Sequence, residues 1–151
     1  MDSDRKWMAE AISEAKKSRE SGGIPIGSVL VSQGTIIGRG HNQRVQKNNP
    51  ILHAEMVTIQ DAGRLRASVY AQSTMYTSLS PCTMCAGTIV LYKIPRVVVG
   101  ENRTVENLTL CEDWLVEQGV EVINMDLQEC VDIMNDFIKE CPEVWNEDVG
   151  V

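Results

Sequence analysis

Apolar side chains recur at helical spacing from the start of the chain, with Trp7, Met8, Ala11, Ile12 and Ala15 separated by Lys, Arg and Glu. This pattern predicts an amphipathic opening helix over about residues 4–20, stopped by Gly22-Gly23. Ile26 to Val31, the polar turn Ser32-Gln33-Gly34, and Thr35 to Gly38 together predict a hairpin. A polar loop from Arg39 to Pro50 then delivers the chain to Leu52-His53-Ala54-Glu55. Helical spacing returns from Glu55 to Ala62 with Gly63 as a stop, and Thr74 to Thr77 alternates as a short strand. A helix apolar on most sides is expected from Pro81-Cys82 onward, because proline is tolerated in a first turn. Ile94 to Val99 and Val120 to Ile123 predict two further strands on either side of an acidic helix around Glu112 to Gln118. Strands joined through a helix are expected to be parallel. Asp126 with Glu129 suggests a capping box for a last helix reaching Lys139, with Cys130, Val131, Met134, Phe137 and Ile138 facing the core. Pro142 to Val151 shows no periodicity and is read as a tail.

Helices alternating with strands in this order predict a three-layer α/β/α sandwich around a mixed sheet of about five strands. A length of 151 residues suits a single domain over 1–151. The charge narrows the partners. With 14 basic against 21 acidic residues, the net charge is −7, the wrong sign for gripping a phosphate backbone. No nucleic acid is therefore expected. No apolar run approaches the roughly 18 residues a membrane span requires, and the first six residues carry acids where a secretory leader is basic and then apolar. A cytoplasmic location without membrane contact is expected. Five cysteines are an odd number and too few for a disulfide scaffold, so they read as reduced thiols or metal ligands.

Their spacing supplies the chemistry. Cys82 and Cys85 lie three apart at the start of a helix, which turns both sulfurs to one side, and the free amides there favour thiolates. Two thiolates and the His53 imidazole are a ligand set suited to one tetrahedral zinc, with a fourth position open to water. Glu55 follows His53 by two residues, and in a continuing helix such residues point about 200° apart. They can share a pocket only where the helix begins. There a carboxylate beside the open position can take a proton from water and hand it to a leaving amine. The bland alternative is a structural zinc site closed by Cys111, Cys130 or Cys141, in a non-catalytic interaction domain. That alternative leaves Glu55 and Pro81 without a purpose. Four further residues stay open on their own. His41 suits a structural or surface role, Asn42 suits either a turn or a ring-edge contact, and Trp145 with Asp148 suits either a solvated acidic end or a ligand cover.

His53-Ala54-Glu55 followed by Pro81-Cys82-Thr83-Met84-Cys85 resembles the known signature of zinc deaminases. Together with Gly22-Gly23-Ile24-Pro25-Ile26-Gly27, Gly38-Arg39-Gly40-His41-Asn42, Ser78-Leu79-Ser80, Ile94-Pro95-Arg96 and Trp145-Asn146-Glu147-Asp148, it looks like the fungal-type cytosine deaminases of the cytidine deaminase superfamily. The resemblance implies a cytosolic homodimer that hydrolyses the free base cytosine to uracil and ammonia. Zinc would be held by His53, Cys82 and Cys85, and Glu55 would shuttle the proton. The resemblance also implies Asn42 and Asp148 at the polar edges of the ring, Ile26, Leu79 and Trp145 as apolar walls, and Ala54 and Ser80 in contact with substrate. The family usually has glycine where Ala54 stands and an aromatic near Val105, and the stretch Arg103 to Gln118 is about two residues longer here. Those departures keep another amino-substituted heterocycle, isocytosine or guanine, as an alternative substrate.

Overall fold

The computed structural model describes residues 2–149, so Met1, Gly150 and Val151 lie outside the account that follows. Helix α1 (Asp2–Glu20) leads into the hairpin β1 (Gly27–Ser32) and β2 (Thr35–His41). The short α2 (Arg44–Lys47), helix α3 (Ala54–Ala62), the short α4 (Ala67–Tyr70) and strand β3 (Ser73–Thr77) follow. The chain continues through α5 (Thr83–Leu91), β4 (Arg96–Val99), α6 (Leu108–Glu117), β5 (Glu121–Asn124), α7 (Gln128–Glu140) and α8 (Pro142–Val149). The five strands form one sheet in the order β2-β1-β3-β4-β5. β1 is antiparallel to β2 and β3, while β3, β4 and β5 are parallel. This is the mixed α/β sheet expected from the pattern.

Strand alternation sorts the side chains into two apolar layers. Val29, Val31, Tyr76 and Val98 pack with Met8, Ala11 and Ile12 of α1 and Cys130 of α7. Leu30, Met75, Val97 and Val99 point the other way, onto Ala86 and Ile89 of α5, Leu115 of α6 and, at the margin, Ile59 of α3. Helix α3 lies close against the hairpin because two β2 positions lack side chains: a Cβ at Gly38 would sit 2.5 Å from the Thr58 carbonyl oxygen, and one at Gly40 would sit 2.6 Å from the Val57 side chain. A third cluster gathers Ile24, Ile26, Ala54, Leu79, Leu108, Met134, Phe137 and Trp145 beyond the carboxyl ends of β3 and β4. In sheets of this kind, that end is where ligands bind.

Several boundaries differ from the pattern. β2 runs on to His41 where a loop was expected from Arg39, since its backbone still pairs with Gly27 of β1. The polar loop also contains α2, and α4 precedes β3. α6 starts at Leu108, four residues before Glu112. α5 is buried on one face only, at Cys85, Ala86 and Ile89, and Leu91 at its end is exposed. The capping box does not form. Asp126 takes a left-handed conformation, φ 48°, and the N-cap is Leu127, so no side chain caps α7. Instead the Asp126 carboxylate pairs with Arg103 at 2.8 Å, and its N–H donates to Asn124 Oδ1. The supposed tail is helix α8 through Val149, and Trp145 on it is buried edge-on against Phe137, ring centres 6.5 Å apart. No described helix is long and apolar enough to cross a membrane.

α1 is fastened to the sheet by a buried polar clamp. Arg96 donates from Nη1 and Nη2 to the two oxygens of Asp4 at 2.9 and 2.7 Å, and the Tyr76 hydroxyl donates to Asp4 at 2.7 Å. The Arg96 contact, against the opposing effect of burial and with Tyr76 assisting, lowers the Asp4 carboxyl from 3.8 to about 2. Because folding depresses this pKa, the clamp contributes fully above about pH 4 and its contribution is lost as the pH falls through about 2. The shift corresponds to about 2 kcal/mol. Asp4→Asn is expected to lose roughly that much at pH 7 and to show a shallower decline in stability between pH 5 and 2, measured by urea unfolding. An unchanged urea midpoint at pH 7 would refute the assignment.

Candidate active site

Two helix starts converge below the third apolar cluster. His53 is the N-cap of α3, with extended backbone (φ −67°, ψ 157°), and Glu55 lies in the first turn. Cys82 is the N-cap of α5, also extended, and Cys85 sits one turn on. The change from extended to helical backbone at residue 53 lets His53 and Glu55 face one pocket although they are two apart. Pro81 is buried ahead of Cys82, and the Cys82 carbonyl accepts from Ala86 N–H at 2.8 Å, closing the first turn of α5.

The donor atoms of His53, Cys82 and Cys85 all lie within 4.8 Å of one another. His53 Nδ1 is 3.5 Å from Cys82 Sγ and 3.8 Å from Cys85 Sγ. Zn–N and Zn–S bonds of about 2.0–2.3 Å at tetrahedral angles place donor atoms about 3.3–3.8 Å apart, so the spacing fits one zinc held through Nδ1. Among the described residues this is the sole cluster of its kind, and Cys111, Cys130 and Cys141 stand outside it. Cys130 packs under the sheet with its thiol pushed up to about 12 by burial and by Glu101 and Glu129. It offers no thiolate to close the site.

The electrostatics suit a soft cation. Cys82 is lowered to about 4, chiefly by the hydrogen bond from Cys85, with burial opposing and His53 assisting. Cys85 is raised well above the ordinary range by the Cys82 thiolate and by burial. The two sulfurs thus compete for one proton, and a dication between them removes that competition by binding both as thiolates. Burial tends to lower His53, but the Cys82 contact and the Glu55 charge outweigh it and raise its pKa. Glu55 is 5% exposed, and burial followed by the Cys82 charge lifts its carboxyl to about 7. A carboxyl in that range can both accept and return a proton at neutral pH.

Above these groups is a cavity of about 160 Å³, reached by His53, Glu55 and Cys82 and lined by Ile26, Asn42, Ala54, Leu79, Ser80, Val105, Leu108, Trp145, Asp148 and Val149. All seven residues expected at the substrate lie on its wall. Asn42 has the contact of a turn residue and a place on the cavity wall. Its Oδ1 accepts from Arg44 N–H at 3.0 Å, as a turn residue does, and its side chain also lines the cavity. Its backbone is held by Ser18 Oγ, which donates to the Asn42 carbonyl at 2.7 Å. Asp148 pairs with Arg44, which ties α8 to α2 beside the cavity. Ser80 is 3% exposed, and its hydroxyl has no hydrogen-bond partner among the described residues. His41 takes no part, and its Nδ1 lies 3.3 Å from Glu14. Leu108, Val149 and Arg44 were not anticipated. The pattern placed the start of α6 four residues too late and read α8 as unstructured, and a surface arginine carries no mark of its partner.

Residues 1–101 match the family described as the cytidine and deoxycytidylate deaminase zinc-binding region. The chain is 51% identical over 148 residues to the cytosine deaminase of Candida albicans, covering 97% of each chain. It is 46% identical over 101 residues to the tRNA-specific adenosine deaminase of Bacillus subtilis, covering 66% of this chain and 63% of that one. Among solved structures, a diaminohydroxyphosphoribosylaminopyrimidine deaminase/reductase from Thermotoga maritima superposes with a TM-score of 0.70 at 27% identity, over 93% of this chain and 41% of that one.

Proposed function

From the premise that this chain belongs to the cytidine and deoxycytidylate deaminase family of zinc enzymes, we propose that it hydrolyses free cytosine to uracil and ammonia. The observation that carries this reading is the cavity of about 160 Å³ in which Glu55 and the His53, Cys82 and Cys85 cluster meet a lid made by Trp145. Pockets for larger organic ligands run to about 300 Å³ and above, so this one suits a single ring without its sugar. Near full-length identity to a cytosine deaminase reaches across α8, the element that closes the cavity.

One zinc per chain, held by His53, Cys82 and Cys85, supplies Lewis acidity that brings a water proton within reach of neutral pH and polarises the reacting centre. The protein's own groups do the rest. Glu55 takes the proton from water, delivers it to the ring nitrogen beside the carbon under attack, and a second transfer through the same carboxyl lets the amine leave as ammonia. Asn42 presents its amide to the ring carbonyl edge while its Oδ1 is steadied by Arg44. The N–H of Ala54 and the unpaired Ser80 hydroxyl offer further donors. Asp148, held by Arg44, accepts from the exocyclic amine. Ile26, Leu79 and Trp145 grip the ring faces and exclude water, which strengthens each polar contact inside.

The wider assignment is a single deaminase domain over residues 1–151, working as a cytoplasmic homodimer without nucleic-acid or membrane partners. A net charge of −7 speaks against a polyanionic substrate. A thiolate site must stay reduced to hold zinc, which suits the cytosol. Leu91 at the end of α5, with Leu110 and Trp114 one turn apart on α6, exposes apolar surface that a second copy can cover. The zinc-loaded protein is expected to elute as two chains and to release ammonia from cytosine at least a hundredfold faster than from cytidine. Comparable rates on base and nucleoside would overturn the closed-pocket reading, and faster release from isocytosine or guanine would redirect it to those bases.

A further inference from the structure

We propose that Glu101, a buried acid that touches neither zinc ligand nor cavity, is the positioning residue that sets the substrate wall formed by Val105 and Leu108. The inference rests on the deaminase reading above. Glu101 follows β4 and is 0% exposed, yet among the described residues no basic side chain forms an ion pair with it. Three donors from its own loop satisfy it instead. Oε2 accepts from the N–H groups of Arg103 at 2.6 Å and Thr104 at 3.0 Å, and Oε1 accepts from Thr104 Oγ1 at 2.5 Å. Successive N–H groups converging on one oxygen resemble the backbone concavities that hold anions, here occupied by the chain's own carboxylate.

The position of that loop matters because of what lies on each side. Upstream, the Glu101 carbonyl accepts from Ser80 N–H at 2.9 Å, which joins it to the segment carrying Ser80, Pro81 and Cys82. The contact is close: a Cβ at Gly100 would lie 2.5 Å from the Ser78 carbonyl oxygen. Downstream, the fixed turn delivers Val105 and then Leu108 to the cavity, and Asn102 Nδ2 donates to Glu112 of α6 at 2.6 Å. One residue therefore references the wall at Val105 and Leu108 to the zinc loop. A loop shift would strand a buried carboxylate without donors, and that cost confines the wall to one position. Glutamine is a poorer replacement, since its one uncharged carbonyl oxygen must serve both N–H groups without charge assistance while its NH₂ forces the Thr104 hydroxyl to accept instead of donate.

The test compares zinc-loaded wild type, Glu101→Gln, Thr104→Val and Thr104→Ser on cytosine. Thr104→Val removes one donor with little change in volume and is expected to raise KM about tenfold with kcat within threefold and one zinc per chain. Thr104→Ser keeps the hydroxyl and is expected to restore KM to within twofold of wild type. Glu101→Gln should raise KM further. If Thr104→Val and Glu101→Gln leave KM within twofold, or lower kcat alone, Glu101 does not set the wall. Amide hydrogen exchange provides a readout independent of substrate, with Arg103 and Thr104 protected in wild type and released in Glu101→Gln. Unprotected amides in wild type would also overturn the inference. A wild type inert towards cytosine would refute the deaminase reading, and the exchange measurement would then decide the role of Glu101 by itself.

Discussion

Glu55→Gln is expected to retain one zinc per chain and to lose cytosine turnover by about a hundred- to ten-thousandfold, the range lost when a positioned acid or base is removed. The geometry separates the two readouts. Donor atoms from His53, Cys82 and Cys85 form the metal cluster without Glu55, so exchanging its carboxylate for an amide takes away no ligand. What is removed is a group that changes protonation. Burial raises the Glu55 carboxyl above the ordinary carboxylate range, whereas an amide of the same shape neither accepts nor returns a proton at any accessible pH. The glutamine keeps the volume of a side chain that is only 5% exposed, and the thermal midpoint should move little. Zinc content by metal analysis and ammonia release measured on one preparation check the prediction. Near wild-type turnover would remove Glu55 from the mechanism, and loss of zinc would make it structural.

Cys82→Ala and Cys85→Ala are each expected to release the metal, abolish measurable turnover and lower the thermal midpoint. Cys111→Ala should leave zinc at one per chain. Both cysteines are placed by the start of a helix that is anchored in the core, since Cys85, Ala86 and Ile89 are all buried. Loss of zinc therefore frees the start of α5 and, through it, the loop that Glu101 holds. Metal-binding energy in such a site is also folding energy. Cys111 serves as the contrast because it lies on α6, outside the cluster. A Cys111→Ala protein stripped of zinc would indicate a closed structural site and revive the non-catalytic interaction domain.

The fold was largely legible because its signals are local. The apolar runs of β1 and β4, the alternation of β3, helical spacing in α1, α3 and α7, and glycine stops are properties of neighbouring residues, so they survive without knowledge of the rest of the chain. The zinc site was legible for a similar reason. His53-Ala54-Glu55 and Pro81-Cys82-Thr83-Met84-Cys85 each sit at one helix start, and the donor types alone define a soft, three-ligand set.

Other features depended on partners distant in sequence. Pro142 to Val149 has little periodicity by itself and becomes helical because Trp145 finds Phe137 and because Asp148 finds Arg44, more than a hundred residues earlier. Asp126 was a plausible cap by its neighbours, yet Met125 N–H and Leu127 N–H donate to Val99 and Gly100, and this tether turns Asp126 left-handed. The place of Asn42 also depended on distant parts of the chain, since its backbone is pinned by Ser18 of α1 and the residue lies on the cavity wall. Glu101 gave no sign in the sequence, where it is one acid among 21. Short-range spacing and side-chain chemistry specify the five strands, the principal helices, the layers and the metal's donor set. The size of the cavity, the helix that closes it and the acid that holds its wall were decided only in the tertiary structure, where buried polar groups must find partners that no local pattern encodes.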